Sequence, residues 1–159
     1  MTNYSKALTS FLTSRKVTRR LIEFDEPVKT VEQASRQVDA GKIVKSIVMI
    51  ASNGNPILAL VPARSMVSHK KLKKLLDVRD VRLASYEEVL QFSGYPAGGV
   101  PPFNNIKQVI ADPQILRNET IVVGGGDIDK LLEVRTRDVI EVSNAQIVDI
   151  TQNITDKHT

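Results

Sequence analysis

The 159-residue chain carries 22 Lys and Arg against 18 Asp and Glu, a net charge of +4, with 42% hydrophobic and 25% charged residues. These are the proportions of an ordinary globular domain and exclude a disordered or fibrous chain. No apolar run nears the roughly 20 residues of a membrane helix, and "MTNYSKALTSFLTSRK" has no apolar leader stretch, so a cytoplasmic address without a membrane partner is expected.

Tyr4, Leu8, Phe11 and Leu12 recur at helical spacing and predict an amphipathic helix over about 4–15. "RRLIEF" (19–24) reads as a short strand. Thr30 and Gln33 stand at capping-box spacing and Gly41 closes the segment, which predicts a helix through "VEQASRQVDA". The β-branched run "KIVKSIVMIA", the turn "SNGN" and "PILALVPA" then form a hairpin. Leu72, Leu75 and Leu76 make one stripe of a helix beginning near Ser68, with Lys70, Lys71, Lys73 and Lys74 mainly on its other faces.

"VRLA" (81–84) follows as a strand, and Ser85 with Glu88 caps a helix that stops before Gly94. After "SGYPAGGVPPF" (93–103) come a strand in "IKQVIAD", a brief turn or helix near "PQILR", and strands in "TIVVGG" and "KLLEV". Thr136 is expected to cap "RDVIEV", "AQIVDI" to be a last strand, and the polar tail of about 151–159 to be loose. Interleaved strands and helices without repeats or linkers predict a single domain over 1–159, α/β or α+β, with helices packed on a mixed sheet.

Four features could carry chemistry. Strand alternation puts Lys45 on a face with Ile43, Ile47 and Met49, opposite Val44, Ser46, Val48 and Ile50. A charge among apolar neighbours either snorkels to water or faces a cleft, where it meets an anion or a polarised carbonyl. The 93–103 loop is either a rigid connector or a wall whose glycine backbone approaches a ligand while prolines hold its shape. Gly124, Gly125 and Gly126 fit neither the dinucleotide nor the phosphate-loop spacing, leaving a tight turn that can also border a pocket. The lysines at 70, 71, 73 and 74 are either a solvated face or a phosphate contact.

Other chemistries have little support. Zero cysteines exclude disulfides, thiolate metal sites and a cysteine nucleophile. His69 inside the lysine cluster and His158 near the end are poorly placed for a Ser-His-Asp triad. Neither a metal nor a cofactor is expected.

Taken in order, "IVKSIVM", "GYPAGGVPPF" and "TIVVGGGDIDKLLEV" resemble the YbaK/ProX family of aminoacyl-tRNA deacylases, the prolyl-tRNA synthetase editing-domain family. The likeness spans roughly residues 20 to 150, including "KTVEQASRQV" and "LALVPA". It implies a mixed α/β fold around a curved, mostly antiparallel sheet, and a free-standing editor that hydrolyses the ester of mischarged tRNA. Alanyl- or cysteinyl-tRNA for proline, or a related small aminoacyl-tRNA, would be the substrate, with prolyl-tRNA synthetase a candidate partner. A non-catalytic module that keeps the pocket to bind tRNA, a nucleotide or a protein is the alternative.

By the same resemblance, Lys45 matches the family's functional lysine. Gly98, Gly99, Val100, Pro101 and Pro102 match its substrate-facing loop, and Gly125 belongs to the later glycine turn. Three positions depart from the pattern. Phe103 and Asn104 stand where many relatives have a small residue, which bears on pocket depth, and Gly124 takes the serine position of cysteine-specific members.

Overall fold

A computed structural model describes residues 3–152. The first helix, α1 (Asn3–Ser14), leads into β1 (Arg19–Glu23) and a single turn of helix, α2 (Val31–Ala34). The hairpin of β2 (Val44–Ala51) and β3 (Pro56–Pro62) follows, then α3 (His69–Leu76), β4 (Val81–Leu83) and α4 (Tyr86–Ser93). The chain continues through β5 (Val109–Ala111), β6 (Thr120–Gly124), β7 (Lys130–Arg135), α5 (Thr136–Ser143) and β8 (Gln146–Ile147).

Two sheets result. One is antiparallel in the order β1-β7-β6; the other runs β4-β2-β3-β5-β8, with β3, β5 and β8 paired in parallel. A parallel bridge between Ile43 and Val122 joins them at the start of β2. The architecture is therefore mixed α/β with a largely antiparallel sheet, as the resemblance implies. The main core lies between the sheets and α1, uniting Leu8, Leu12, Val44, Val48, Leu58, Leu60, Val123 and Val134. A second cluster beneath α3 joins Leu72 to Met49, Ile57 and Val61 on the other face of the hairpin.

Local signals explain most element ends. The Asn53–Gly54 turn closes on Ala51, whose N–H donates to the Asn55 carbonyl at 3.0 Å, with Gly54 at φ +88°. Ser68 caps α3 through the Lys71 N–H. Ser85 and Glu88 form a complete capping box, and Gly94 ends α4 in the left-handed conformation.

Three elements differ from the sequence expectation. The helix expected through residue 40 keeps its Thr30–Gln33 capping box but stops at Ala34. The Ser35 hydroxyl donates to the Glu32 carbonyl, and Asp39 caps a separate 3₁₀ turn over Ala40–Lys42, so side chains offer the backbone alternatives to a continued helix. Thr136 does not cap α5 but is its first residue; its hydroxyl donates to the Asn118 carbonyl at 2.5 Å, which ties the helix start to the 118–119 segment. The last strand shrinks to two residues because the chain beyond Val148 is held by a side chain instead: the Asp112 carboxylate accepts the Ile150 N–H at 3.0 Å. Of the polar tail, residues 153–159 lie outside the described residues.

Candidate active site

A cavity of about 270 Å³ opens where the two sheets part. Its floor is Ile43 with the first half of β2, residues 44–47; one wall is Gly98 and Val100 with Val123 and Gly124, and the other is the 28–31 segment with Ala34.

The sheet register explains why a gap exists there. Ala63 N–H donates to the Ile43 carbonyl and Ala51 N–H to Asn55, so odd-numbered residues of β2 direct their main chain toward β3. Even-numbered residues direct theirs the other way, where the Val48 carbonyl accepts the Ala84 N–H. Pairing with β4 covers only Met49–Ala51, and the bridge to β6 is at Ile43. Ser46 sits between them, with its main-chain groups facing the cavity.

Lys45 lies half-buried in this floor, and its Nζ donates to the Ser65 carbonyl at 3.0 Å. Burial pulls its pKa below the ordinary lysine value of 10.5. Ser46 points to the opposite face, with Val44 and Val48. Its hydroxyl oxygen is buried and has no hydrogen-bond partner among the described residues. Lys29, Thr30, Lys45 and Ser46 are the polar residues of the lining, which contains no carboxylate.

The glycine-proline loop is fixed by main-chain contact with the later glycine turn. A Cβ on Gly124 would come within 2.2 Å of the Val100 carbonyl oxygen, so only glycine lets the two segments touch. Gly126 N–H donates to the Gly99 carbonyl at 2.9 Å, and Gly98 takes φ +89°, a conformation costly to other residues. From behind, α1 braces both segments: the Ser5 hydroxyl bonds the Asp127 carboxylate, Tyr4 meets Tyr95, and Phe11 meets Phe103 at 6.1 Å between ring centroids.

This packing decides which loop groups are available. Gly99 N–H is engaged by the Pro96 carbonyl at 2.9 Å, and Pro101 and Pro102 have no N–H. The N–H groups of Gly98 and Val100 donate to nothing among the described residues, and both residues line the cavity. Gly99, Pro101, Pro102 and Gly125 stand behind the lining, the last with its N–H on the Lys130 carbonyl at 3.0 Å.

Phe103 is buried in the main core and Asn104 bridges the Pro101 carbonyl and the Ile106 N–H, at 2.7 and 2.8 Å, so both shape the loop from outside the cavity. Sequence reasoning placed Ser46 on a face but missed its part in the site. Strand alternation gave its direction, while the gap beside it depends on pairings far along the chain.

On α3, Lys71 is committed to Asp149 and the Thr151 carbonyl, while Lys70 and Lys74 are exposed and Lys73 is half-buried. His69 is exposed at the start of the same helix, and His158 lies outside the described residues. No described helix is long and apolar enough to cross a membrane.

The chain resembles known proteins over most of its length. Residues 25–142 match the family model of the aminoacyl-tRNA editing domain. The proline–tRNA ligase of Thermotoga neapolitana is 35% identical over 104 residues, covering 64% of this chain but 18% of the ligase. The chain thus spans under a fifth of that relative. A candidate Cys-tRNA(Pro)/Cys-tRNA(Cys) deacylase of Enterococcus faecalis is 25% identical over 119 residues, 72% of this chain and 71% of that one.

Among solved structures, a hypothetical protein is 28% identical with TM-score 0.80, covering 91% of this chain and 99% of the other. A candidate trans-editing enzyme for prolyl-tRNA synthetase shares the fold at TM-score 0.85 and 23% identity, covering 96% and 99%. With more than half of its length matched, the chain belongs to the aminoacyl-tRNA editing domain family.

Proposed function

We propose that the protein is a deacylase acting in trans on tRNA mischarged with a small amino acid, alanyl- or cysteinyl-tRNA for proline being the leading candidates. One observation carries this reading: Lys45, Gly98 and Val100 line the same small cavity, and the N–H groups of the two loop residues donate to nothing among the described residues. Family membership and the likeness to a tRNA deacylase of comparable length support it.

An aminoacyl ester is already activated, so positioning and stabilisation of the developing oxyanion suffice for useful catalysis. The ester carbonyl oxygen is held by the Gly98 and Val100 amides. Lys45, fixed by Ser65, holds the aminoacyl-adenosine end by its charge. In the overall hydrolysis one water is consumed: its oxygen bonds to the carbonyl carbon, the bond to the ribose oxygen breaks, and its proton passes to that oxygen, releasing the free amino acid and the tRNA 3′-terminal hydroxyl. Exposed Lys70 and Lys74 on α3 meet tRNA phosphates, and prolyl-tRNA synthetase, which makes the mischarged product, is the proposed partner.

The test is ester loss from a panel of mischarged tRNAs, alanyl- and cysteinyl-tRNA for proline included, with wild type and Lys45→Ala. Wild type clears at least one substrate above its spontaneous rate, and the variant is slower by about 10²-fold. Clearance of none, with tight tRNA binding retained, favours a binding module.

A further inference from the structure

Asp112 is 1% exposed, the most deeply buried carboxylate among the described residues, and the deacylation chemistry leaves it unused. It follows β5 and caps the 3₁₀ turn Pro113–Arg117: one oxygen accepts the Gln114 N–H at 2.9 Å, while the other reaches across the chain to the Ile150 N–H at 3.0 Å. Resting on the deacylase reading, we propose that Asp112 is a positioning residue for Lys45, acting through residues 150–152 and the carbonyl of Ser65.

The path is a run of main-chain contacts. Lys45 Nζ takes its place from the Ser65 carbonyl at 3.0 Å, since the cavity lining offers no carboxylate to hold it. Ser65 and Met66 belong to no helix or strand. On one side this stretch is pinned by the Ser65 N–H, which donates to the Pro62 carbonyl at 2.9 Å. On the other, the next carbonyl along, that of Met66, accepts the Gln152 N–H at 2.9 Å, Val67 bridges Thr151, and the Ser68 N–H donates to the Ile150 carbonyl at 2.7 Å. Residues 150–152 therefore splint the stretch that carries the Ser65 carbonyl.

Asp112 fixes the splint at its buried end. Ile150 lies in the cluster beneath α3 with no exposure, so its N–H must find its acceptor inside the protein. The Gln114 side chain adds a bond to the Thr151 hydroxyl at 2.9 Å, and Lys71 donates to the Thr151 carbonyl at 2.7 Å. Asp112→Asn keeps one acceptor where the carboxylate has two; with the turn still capped, its amide nitrogen faces the Ile150 N–H, donor against donor. The hold on 150–152 then slackens, and Ser65 with it. A displaced ammonium costs rate more than tRNA affinity, because the tRNA makes its other contacts outside the cavity.

The experiment measures kcat and KM on the mischarged tRNA that wild type clears fastest and, without substrate, the hydrogen-exchange rate of the Lys45 ammonium by NMR. Asp112→Asn is compared with Gln152→Pro, which deletes the donor to Met66 without touching the core and decides alone should the first variant fail to fold. Val139→Ala, a buried truncation on α5 outside the cavity lining, controls for lost stability. Asp112→Asn and Gln152→Pro should lower kcat about tenfold, with KM within about twofold of wild type and faster ammonium exchange. Val139→Ala should leave all three as in wild type. With wild type active, either kcat or exchange unchanged in the two test variants, or an equal loss in Val139→Ala, overturns the proposal. Faster exchange in the test variants while wild type clears no ester leaves the positioning role standing and overturns the deacylase reading.

Discussion

The main chains of Val100 and Gly124 are in direct contact: a Cβ added to Gly124 would lie 2.2 Å from the Val100 carbonyl oxygen. Gly124→Ser must therefore push the glycine-proline loop outward. Overpacking of this kind costs about 3 kcal/mol, which is about 6–12 °C in melting temperature for a chain of this size. Thermal unfolding measures it; a serine variant as stable as wild type would show that the contact yields freely.

Lys45 separates stability from function. Removing a desolvated ammonium relieves a burial cost, so Lys45→Met should melt at or above the wild-type temperature while losing about 10²-fold in kcat/KM. Arginine should not restore activity, since its planar fork does not reproduce a compact ammonium on the Ser65 carbonyl. The lowered pKa also fixes a pH sign. With its pKa held below 10.5, Lys45 gives up its proton earlier than a free lysine as pH rises, so the Lys45-dependent part of the rate should decline on the alkaline side before that value.

Phe103 belongs to the core rather than to the cavity lining. Phe103→Leu should lower stability by about 1–2 kcal/mol while leaving the ranking of aminoacyl substrates unchanged. A changed ranking in the deacylation panel would mean that the ring reaches the substrate after all.

Asp112 ties the last described segment to the sheet. Burial would raise its pKa, but N–H donors from Gln114 and Ile150 outweigh that and hold the carboxyl below its ordinary value of 3.8. A group depressed on folding stabilises above its unfolded pKa, and that contribution disappears as pH falls through the folded value. Asp112→Asn should cost about 1–3 kcal/mol at pH 7. Between pH 5 and 2, wild type should lose more stability than the variant in urea titrations.

The lysine helix is tested through salt. Lys70→Ala with Lys74→Ala spares Lys71, which holds Asp149, and should reduce the slope of log tRNA affinity against log salt by about 1–2. An unchanged slope returns these side chains to solvent.

Much of the fold was legible because its signals are local. The Ser85–Glu88 capping box, the Asn53–Gly54 turn and the leucine stripe of α3 each sit within a few residues, and each became the expected element. The helix after Thr30 was over-read because a cap states where a helix starts and not where Ser35 and Asp39 draw it off course. In the site, Lys45 stood out as a charge in an apolar strand. Ser46 did not, since an orphan hydroxyl is defined by strands that fail to pair beside it. Similarly, the engagement of Gly99 by Pro96, which leaves the N–H groups of Gly98 and Val100 as the loop's uncommitted ones among the described residues, has no sequence signature.

Because the loop wall is made of main chain and glycine, truncation to alanine has little to remove there. An alanine scan would report Lys45 and pass over Gly98, Val100 and Gly124 as unremarkable or merely destabilising. Mapping this wall requires atoms to be added or exchanged in the backbone itself, for instance an ester in place of the Val100 amide, which deletes one donor and leaves every side chain where it was.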